Sequence, residues 1–249
     1  MSYFRRQAAA YAEFRPDYPE ELFRFVASLV NRHQLAWDCA TGSGQAATRL
    51  AQYFSHVIAT DISPEQIAHA RQDAKVEYRL APAEASGLSD GSVDLITVCQ
   101  ALHWLDRPRF FAECRRVLAP DGGLVVTMYG DAHIADDEAL DRLLQSFNKE
   151  TMREYWPVNR ELVNELFARI EFPFPLLPAP KIKLTKQWTL AHLAGYMRSW
   201  SATARYIERH GGDPVAEVEE KMAVRWGDPA IEREIWWPFR IFAGRFDGV

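Results

Sequence analysis

The chain is poor in cysteine: Cys39, Cys99 and Cys114 are the only three in 249 residues. They form no CxxC pair and no Cys/His cluster with zinc-ligand spacing. A disulfide framework and a zinc site are thereby disfavoured. Three reduced, buried thiols and no metal are expected. Positive charge is not in excess either. Lys and Arg total 29 against 34 Asp and Glu, a formal net charge of −5. That balance gives no general pull toward nucleic acid or an anionic membrane. No apolar run is long enough to span a bilayer. The opening "MSYFRRQAAAYAEFRP" is interrupted by Glu13 and arginine before a signal-peptide core can form. There is no internal repeat and no low-complexity tract. These absences predict a cytoplasmic protein with no nucleic-acid or membrane partner. The remaining composition, 48% hydrophobic and 25% charged, is that of one large domain or a domain with an added cap.

The first half alternates strand and helix signals. Strands are predicted at 35–40, 56–61, 76–81, 92–99 and 124–129, with helices over about 45–54 and 108–118. A further helix starts at Pro64. Ser63 is its N-cap, Gln66 completes a capping box, and Ile62 and Ile67 are spaced for a hydrophobic staple. The 92–99 run is nearly all apolar after Asp94, as a central parallel strand covered on both faces should be. Asp94 itself reads as a solvent residue at the strand start. The turn "PDGG" (120–123) leads into the fifth strand. This order predicts an α/β, doubly wound, Rossmann-like sheet. The second half is different. Helical faces occupy 137–149 and 160–171, "FPFPLLPAP" (172–180) connects, and 181–190 reads as a strand. A helical, aromatic-rich stretch runs to about Arg225. A last strand covers 233–244, with Pro238 marking an edge or bulge.

The glycine loop "WDCATGSGQAA" (37–47) follows the first strand and opens a helix. Gly42-Ser43-Gly44-Gln45-Ala46-Ala47 fits GxGxxA, the weak form of the dinucleotide fingerprint. Asp61, about twenty residues on, is placed to accept bonds from ribose hydroxyls. No Lys-Ser/Thr follows the loop, so a triphosphate cradle is disfavoured. Asp38 discriminates among the rest. A carboxylate beside a pyrophosphate meets like-charge repulsion. S-adenosylmethionine has no phosphate and carries an ammonium and a sulfonium, so Asp38-x-Ala40-x-Gly42-x-Gly44 suits it better.

On these residues the chain resembles the class I S-adenosylmethionine-dependent methyltransferases. "WDCATGSGQAA" is similar to that family's first motif, and "ATDIS" (59–63) to its second. "DGSVDLITVCQALHWLD" (90–106) resembles the fourth-strand motif, and "RRVLAPDGGLVV" (115–126) the turn into the fifth strand. The match covers about residues 35–130. "YAEFRPDYP" (11–19) and "YMRSWSATARY" (196–206) look similar to a narrower group around the trans-aconitate methyltransferases, which esterify small carboxylic acids.

The resemblance implies a mostly parallel sheet of seven strands with a helical cap. N-terminal lid helices fall at 1–34, the cofactor-binding core at 35–130, and a helical insertion and connector at 131–180. Residues 181–249 complete the sheet and the substrate cap. It implies S-adenosylmethionine as cofactor and S-adenosylhomocysteine as product. The implied cofactor residues are Arg15, Asp38, Ala40, Gly42, Gly44, Asp61, Ile62, Ala83, Glu84 and Gln100. Arg15 would approach the cofactor carboxylate from the lid, since Arg–carboxylate pairing is bidentate. Gln100 would contact the methionine end. One departure concerns adenine. Many relatives carry Asp-Ala after the third strand, whereas "APAEA" (81–85) places Pro82 there. Either Glu84 substitutes or the Ala83 amide alone touches the ring.

His103 is either a structural histidine or faces the transferred methyl as the catalytic base. Trp104, Arg198 and Tyr206 are candidates for the substrate pocket, while Trp200, Trp236 and Trp237 read as core. The implied reaction is methyl transfer to a small molecule, a carboxylic acid first among them. Two alternatives stand beside it: a nicotinamide-dependent oxidoreductase, and a non-catalytic cofactor-binding module on the same fold. A monomer or weak dimer is expected.

Overall fold

The computed structural model describes residues 13–246. The lid placed at residues 1–34 therefore lies outside the described residues as far as residue 12. The elements in chain order are α1 (Glu20–Ser28), β1 (Leu35–Cys39), α2 (Gln45–Leu50), β2 (His56–Asp61), α3 (Pro64–Ala68), β3 (Val76–Leu80), β4 (Val93–Cys99), α4 (Arg107–Val117) and β5 (Leu118–Tyr129). They continue with β6 (His133–Ile134), α5 (Glu138–Ser146), α6 (Arg160–Asn164), β7 (Leu184–Trp188), α7 (Leu190–Arg198), α8 (Ser201–His210), α9 (Val215–Trp226), β8 (Arg233–Trp237) and β9 (Phe239–Gly244).

The chain divides into two compact units that interleave along the sequence. The first comprises Asp17–Tyr129, Glu165–Ile182 and the segment from Phe239 onward. Its sheet has six strands in the order β3-β2-β1-β4-β5-β9. β1 to β5 are parallel neighbours, and β9 pairs antiparallel with β5. The expected seventh strand does not belong to this sheet. The central strands are buried along nearly their whole length, which is why they read as apolar runs. The helix starts carry their own chemistry. The Asp106 carboxylate accepts from the Arg109 amide at 3.3 Å, and Pro108 sits in the first turn.

The second unit comprises the segment before Asp17 with Gly130–Asn164 and Lys183–Pro238. It holds a separate three-stranded sheet, order β6-β8-β7, all antiparallel. Its helices α5 and α7 are capped by Asp137, which accepts from the Ala139 and Leu140 amides, and by Thr189, which accepts from His192. Trp188, Tyr196, Trp200 and Trp237 are buried together in its core.

Several expectations are corrected. The predicted strand 233–244 is two strands in different sheets, divided at Pro238, because proline lacks the amide that a continuous ladder would need. The helix expected over 160–171 stops at Asn164; Leu166 and Phe167 both turn left-handed. The helix expected over 45–54 closes at Leu50. Ser63 does cap α3, accepting from the Gln66 amide at 3.2 Å. The reciprocal half of the capping box is taken by Asp61, whose Oδ1 accepts the Ser63 amide at 2.9 Å. The staple does not form: Ile62 turns outward and is 75% exposed. Asp94 is no solvent residue. It is buried, and its Oδ2 accepts the amides of Gln34 (2.7 Å) and Leu35 (3.1 Å), fixing the entry to β1. Trp236, expected in the core, is partly exposed and stacks on His133.

Candidate cofactor site

The carboxyl ends of β1, β2 and β4 carry most of the residues singled out in the sequence. The loop 40–44 leaves β1 through three left-handed residues, Ala40 (φ 53°), Gly42 (57°) and Gly44 (77°), and enters α2. Glycine is required at position 44 for a second reason. A Cβ there would run into the Tyr78 hydroxyl, which donates to the Arg71 carbonyl at 2.5 Å. The Arg71 amide in turn donates to the Ser43 carbonyl at 3.0 Å. The loop is thus buttressed from β3 and from the turn after α3.

Asp38 is buried below this loop. Its Oδ2 accepts from the Thr41 hydroxyl at 2.5 Å and its Oδ1 from the Thr97 hydroxyl at 2.6 Å. Thr97 is its register neighbour on β4. Burial pushes the Asp38 carboxyl up to about 6, against the opposing effect of the two threonine bonds. The sequence reading had Asp38 facing the ligand. Its carboxylate is instead enclosed and tied to the loop through Thr41. Thr41 and Thr97 were missed. The findable signal was a polar residue inside an apolar strand, "DLITVC".

Asp61 is not left free for ribose. Its Oδ2 accepts the Gly42 amide at 2.8 Å while Oδ1 takes Ser63. It ties the glycine loop to α3, with one lone pair per oxygen still open. Glu84, the candidate for adenine, accepts the Asp106 amide at 2.9 Å and so joins the stretch after β3 to α4. Ala83 is buried beside it. Gln100 ends β4 left-handed (φ 58°), and its side chain bonds the backbone of Tyr129: Nε2 donates to the carbonyl at 3.0 Å and Oε1 accepts the amide at 2.7 Å. His103 lies against Trp104 and Phe167, with ring centroids 5.0 and 6.1 Å away. Trp104 is 55% exposed.

Three expected residues belong to the other unit. The Arg15 guanidinium donates to the Ser199 carbonyl at 3.1 Å and lies over the Tyr196 ring. Arg198 is paired with Asp213 (2.8 Å) and Glu219 (2.6 Å), so its charge is neutralised locally. Tyr206 packs its ring on Tyr155 and His210.

The three cysteines are free thiols, and burial pushes each of them up. Among the described residues no group of His, Cys, Asp and Glu could hold a metal ion, and no helix is long and apolar enough to cross a membrane.

The site residues fit S-adenosylmethionine better than a dinucleotide. A buried carboxylate held by neutral hydroxyls and a backbone amide suits a cationic ligand and repels a pyrophosphate. An apolar side chain stands exposed next to the acid that closes β2.

A parallel sheet with a glycine loop and acids at adjacent strand ends defines a nucleoside-binding α/β protein. Residues 37–126 match the family model of a methyltransferase domain. A Dictyostelium discoideum protein named as a methyltransferase is 36% identical over 215 residues, 86% of this chain and 82% of that one. An Anaeromyxobacter dehalogenans protein described as a type II methyltransferase superposes with a TM-score of 0.83 at 37% identity, covering 93% of this chain and 98% of that one. The phosphoethanolamine N-methyltransferase 2 of Haemonchus contortus, solved with phosphomonomethylethanolamine and S-adenosylhomocysteine, shares the fold at 18% identity and a TM-score of 0.51. That match covers 98% of this chain and 58% of the other. The chain belongs to the class I S-adenosylmethionine-dependent methyltransferases, a family whose cofactor is S-adenosylmethionine. The nicotinamide alternative is thereby set aside.

Proposed function

We propose that the protein methylates a small-molecule carboxylic acid, giving a methyl ester. The observation that carries the cofactor half of this reading is the buried Asp38 charge, held by the Thr41 and Thr97 hydroxyls and the Ala47 backbone, with no cation beside it among the described residues. Gly42 and Gly44 let the backbone approach the ligand, Asp61 offers its open lone pairs to the ribose, and Ile62 offers an apolar face. Ala83 and Glu84 border the adenine, and Ala40 and Gln100 shape the backbone at the methionine end. When bound, S-adenosylmethionine supplies an electrophilic methyl on a sulfonium. The protein's share of the rate is alignment of the two reactants.

The carboxylic-acid half rests on the similarity of "YAEFRPDYP" and "YMRSWSATARY" to enzymes that esterify small acids. It agrees with the chemistry, since a carboxylate is already ionised at neutral pH and needs no general base. His103 then has no proton to remove. It becomes the first candidate base if the acceptor is a phenol, alcohol or amine. Trp104, with its ring largely in solvent, is the aromatic surface offered to an acceptor. Arg198, paired with Asp213 and Glu219, and Tyr206, packed on Tyr155 and His210, are not assigned to the acceptor.

The test has two stages. A thermal melt with S-adenosylhomocysteine, and in parallel with NADH, reads the cofactor. Saturation at a hundredfold over Kd adds about 2.7 kcal/mol, roughly 5–10 °C for a chain this size. A panel of small di- and tricarboxylic acids with labelled S-adenosylmethionine then reads the acceptor as base-labile methyl ester. Absence of an S-adenosylhomocysteine shift sinks the cofactor assignment. A shift without ester from any acid moves the acceptor to another class or leaves a non-catalytic module.

A further inference from the structure

We infer that Gln100 is a positioning residue rather than a ligand contact. Its side chain clamps the end of β4 into the left-handed turn that shapes the cofactor site. This rests on the proposed binding of S-adenosylmethionine at the carboxyl ends of the strands.

Only five non-glycine residues with positive φ occur among the described residues. Asp121 lies in the "PDGG" turn, and Leu166 and Phe167 lie in the turns that follow α6. The other two, Ala40 and Gln100, follow β1 and β4, which are hydrogen-bonded neighbours at the centre of the sheet. Left-handed backbone is unfavourable for a side chain with a Cβ and persists only where its surroundings impose it. Two such residues on adjacent strand ends, at the edge where doubly wound sheets bind ligands, mark a backbone shape kept for the site.

What imposes it at Gln100 is visible. The Gln100 amide nitrogen donates to the Thr127 carbonyl at 3.0 Å, the last rung of the β4–β5 ladder. Beyond it the backbone turns away. The side-chain amide then supplies the next rung itself, donating to the Tyr129 carbonyl and accepting the Tyr129 amide. A primary amide has the same donor and acceptor as a peptide group, so it can end a parallel ladder without leaving β5 unpaired. The main chain beyond Gln100 thereby leaves the ladder and enters the turn 101–104, where the Ala101 carbonyl accepts the Trp104 amide at 2.9 Å. Glutamine is suited to this where glutamate is not, because a carboxylate oxygen would oppose the Tyr129 carbonyl.

The experiment compares S-adenosylhomocysteine binding by calorimetry in the wild type, Gln100→Gly, Gln100→Ala and Gln100→Glu. Hydrogen exchange at the Tyr129 amide is measured alongside. Gln100→Gly tolerates the left-handed backbone but lacks the clamp, so it folds and melts within a few degrees of the wild type. It is expected to bind at least tenfold more weakly, with Tyr129 exchange accelerated at least tenfold. Gln100→Ala is expected to lose both affinity and melting temperature, and Gln100→Glu to behave like alanine. Wild-type affinity in both Gln100→Gly and Gln100→Ala overturns the inference and leaves the cofactor assignment intact. Failure of the wild type to bind overturns that assignment, and the inference with it.

Discussion

Replacing Asp38 with asparagine removes a charge that the fold holds against its own hydration. The carboxyl moves from an ordinary 3.8 to about 6 on folding. That rise corresponds to about 3 kcal/mol of preference for the protonated form. Asp38 is 1% exposed, so solvent screening takes little from that figure. The sign follows from proton counts. Between about pH 4 and pH 6 the folded state binds the proton more tightly than the unfolded one. This group's contribution to stability therefore falls as pH rises through that window and is level above it. In Asp38→Asn the amide oxygen can still accept from one threonine while its nitrogen donates to the other hydroxyl. The ligand-free variant should then melt higher than the wild type at pH 7.5, by up to roughly 6–12 °C. The difference should vanish near pH 4. With S-adenosylhomocysteine the variant gains less from the ligand, because the ligand's ammonium has lost its counter-charge. Differential scanning fluorimetry from pH 4 to pH 8, with and without ligand, reads all four conditions. An apo variant that melts at or below the wild type at pH 7.5, with an unchanged pH slope, refutes the argument that Asp38 is a destabilising charge kept for binding.

Glu113 predicts the opposite pH behaviour. Arg116 holds its carboxyl down at about 2, with Ser86 donating twice from the other side. Its contribution is full above about pH 4.5 and lost as pH falls toward 2. Glu113→Gln should cost roughly 2 kcal/mol at neutral pH in urea unfolding, and an equal midpoint would remove the cluster from the account. Gly44→Ala meets both a left-handed backbone and the Tyr78 hydroxyl. A loss of at least about 2 kcal/mol and of S-adenosylhomocysteine binding is expected, whereas a variant within 0.5 kcal/mol of wild type (roughly the spread of neutral substitutions) would contradict the packing described. Cys39 and Cys114 should react with a disulfide reagent only on unfolding, since they have no exposure and are held protonated, whereas Cys99, expected buried, is half-buried and is slowed only by its raised thiol. Fast labelling of the native protein would show otherwise.

What the sequence conveyed, and what it withheld, divides along physical lines. β1, β2, β4 and β5 were legible because buried parallel strands need side chains of one kind on both faces. The glycines at 42 and 44 were legible because left-handed turns narrow the choice of residue. Partners distant in the chain were not. Thr97 reaches Asp38 across 59 positions, and no local pattern announces it. Arg198 looked available because its acids come later, Asp213 in the turn before α9 and Glu219 on α9. Periodicity found the apolar face of 160–171 but not its backbone, which turns left-handed at Leu166 and Phe167. The capping box failed for a subtler reason: a better acceptor, Asp61, stood two residues before the amide that Gln66 was to serve.

The pairing of Tyr129 with Phe239 has a consequence for the making of the molecule. β5 finds its outer neighbour only after the whole run from Gly130 to Pro238 has emerged from the ribosome. At bacterial-to-eukaryotic elongation speeds that is a wait of roughly 5–20 s. During it, the flank of a buried hydrophobic strand stands open. A nascent chain stalled anywhere in that run presents a template for other strands, so chaperone demand should concentrate on late stalls rather than early ones.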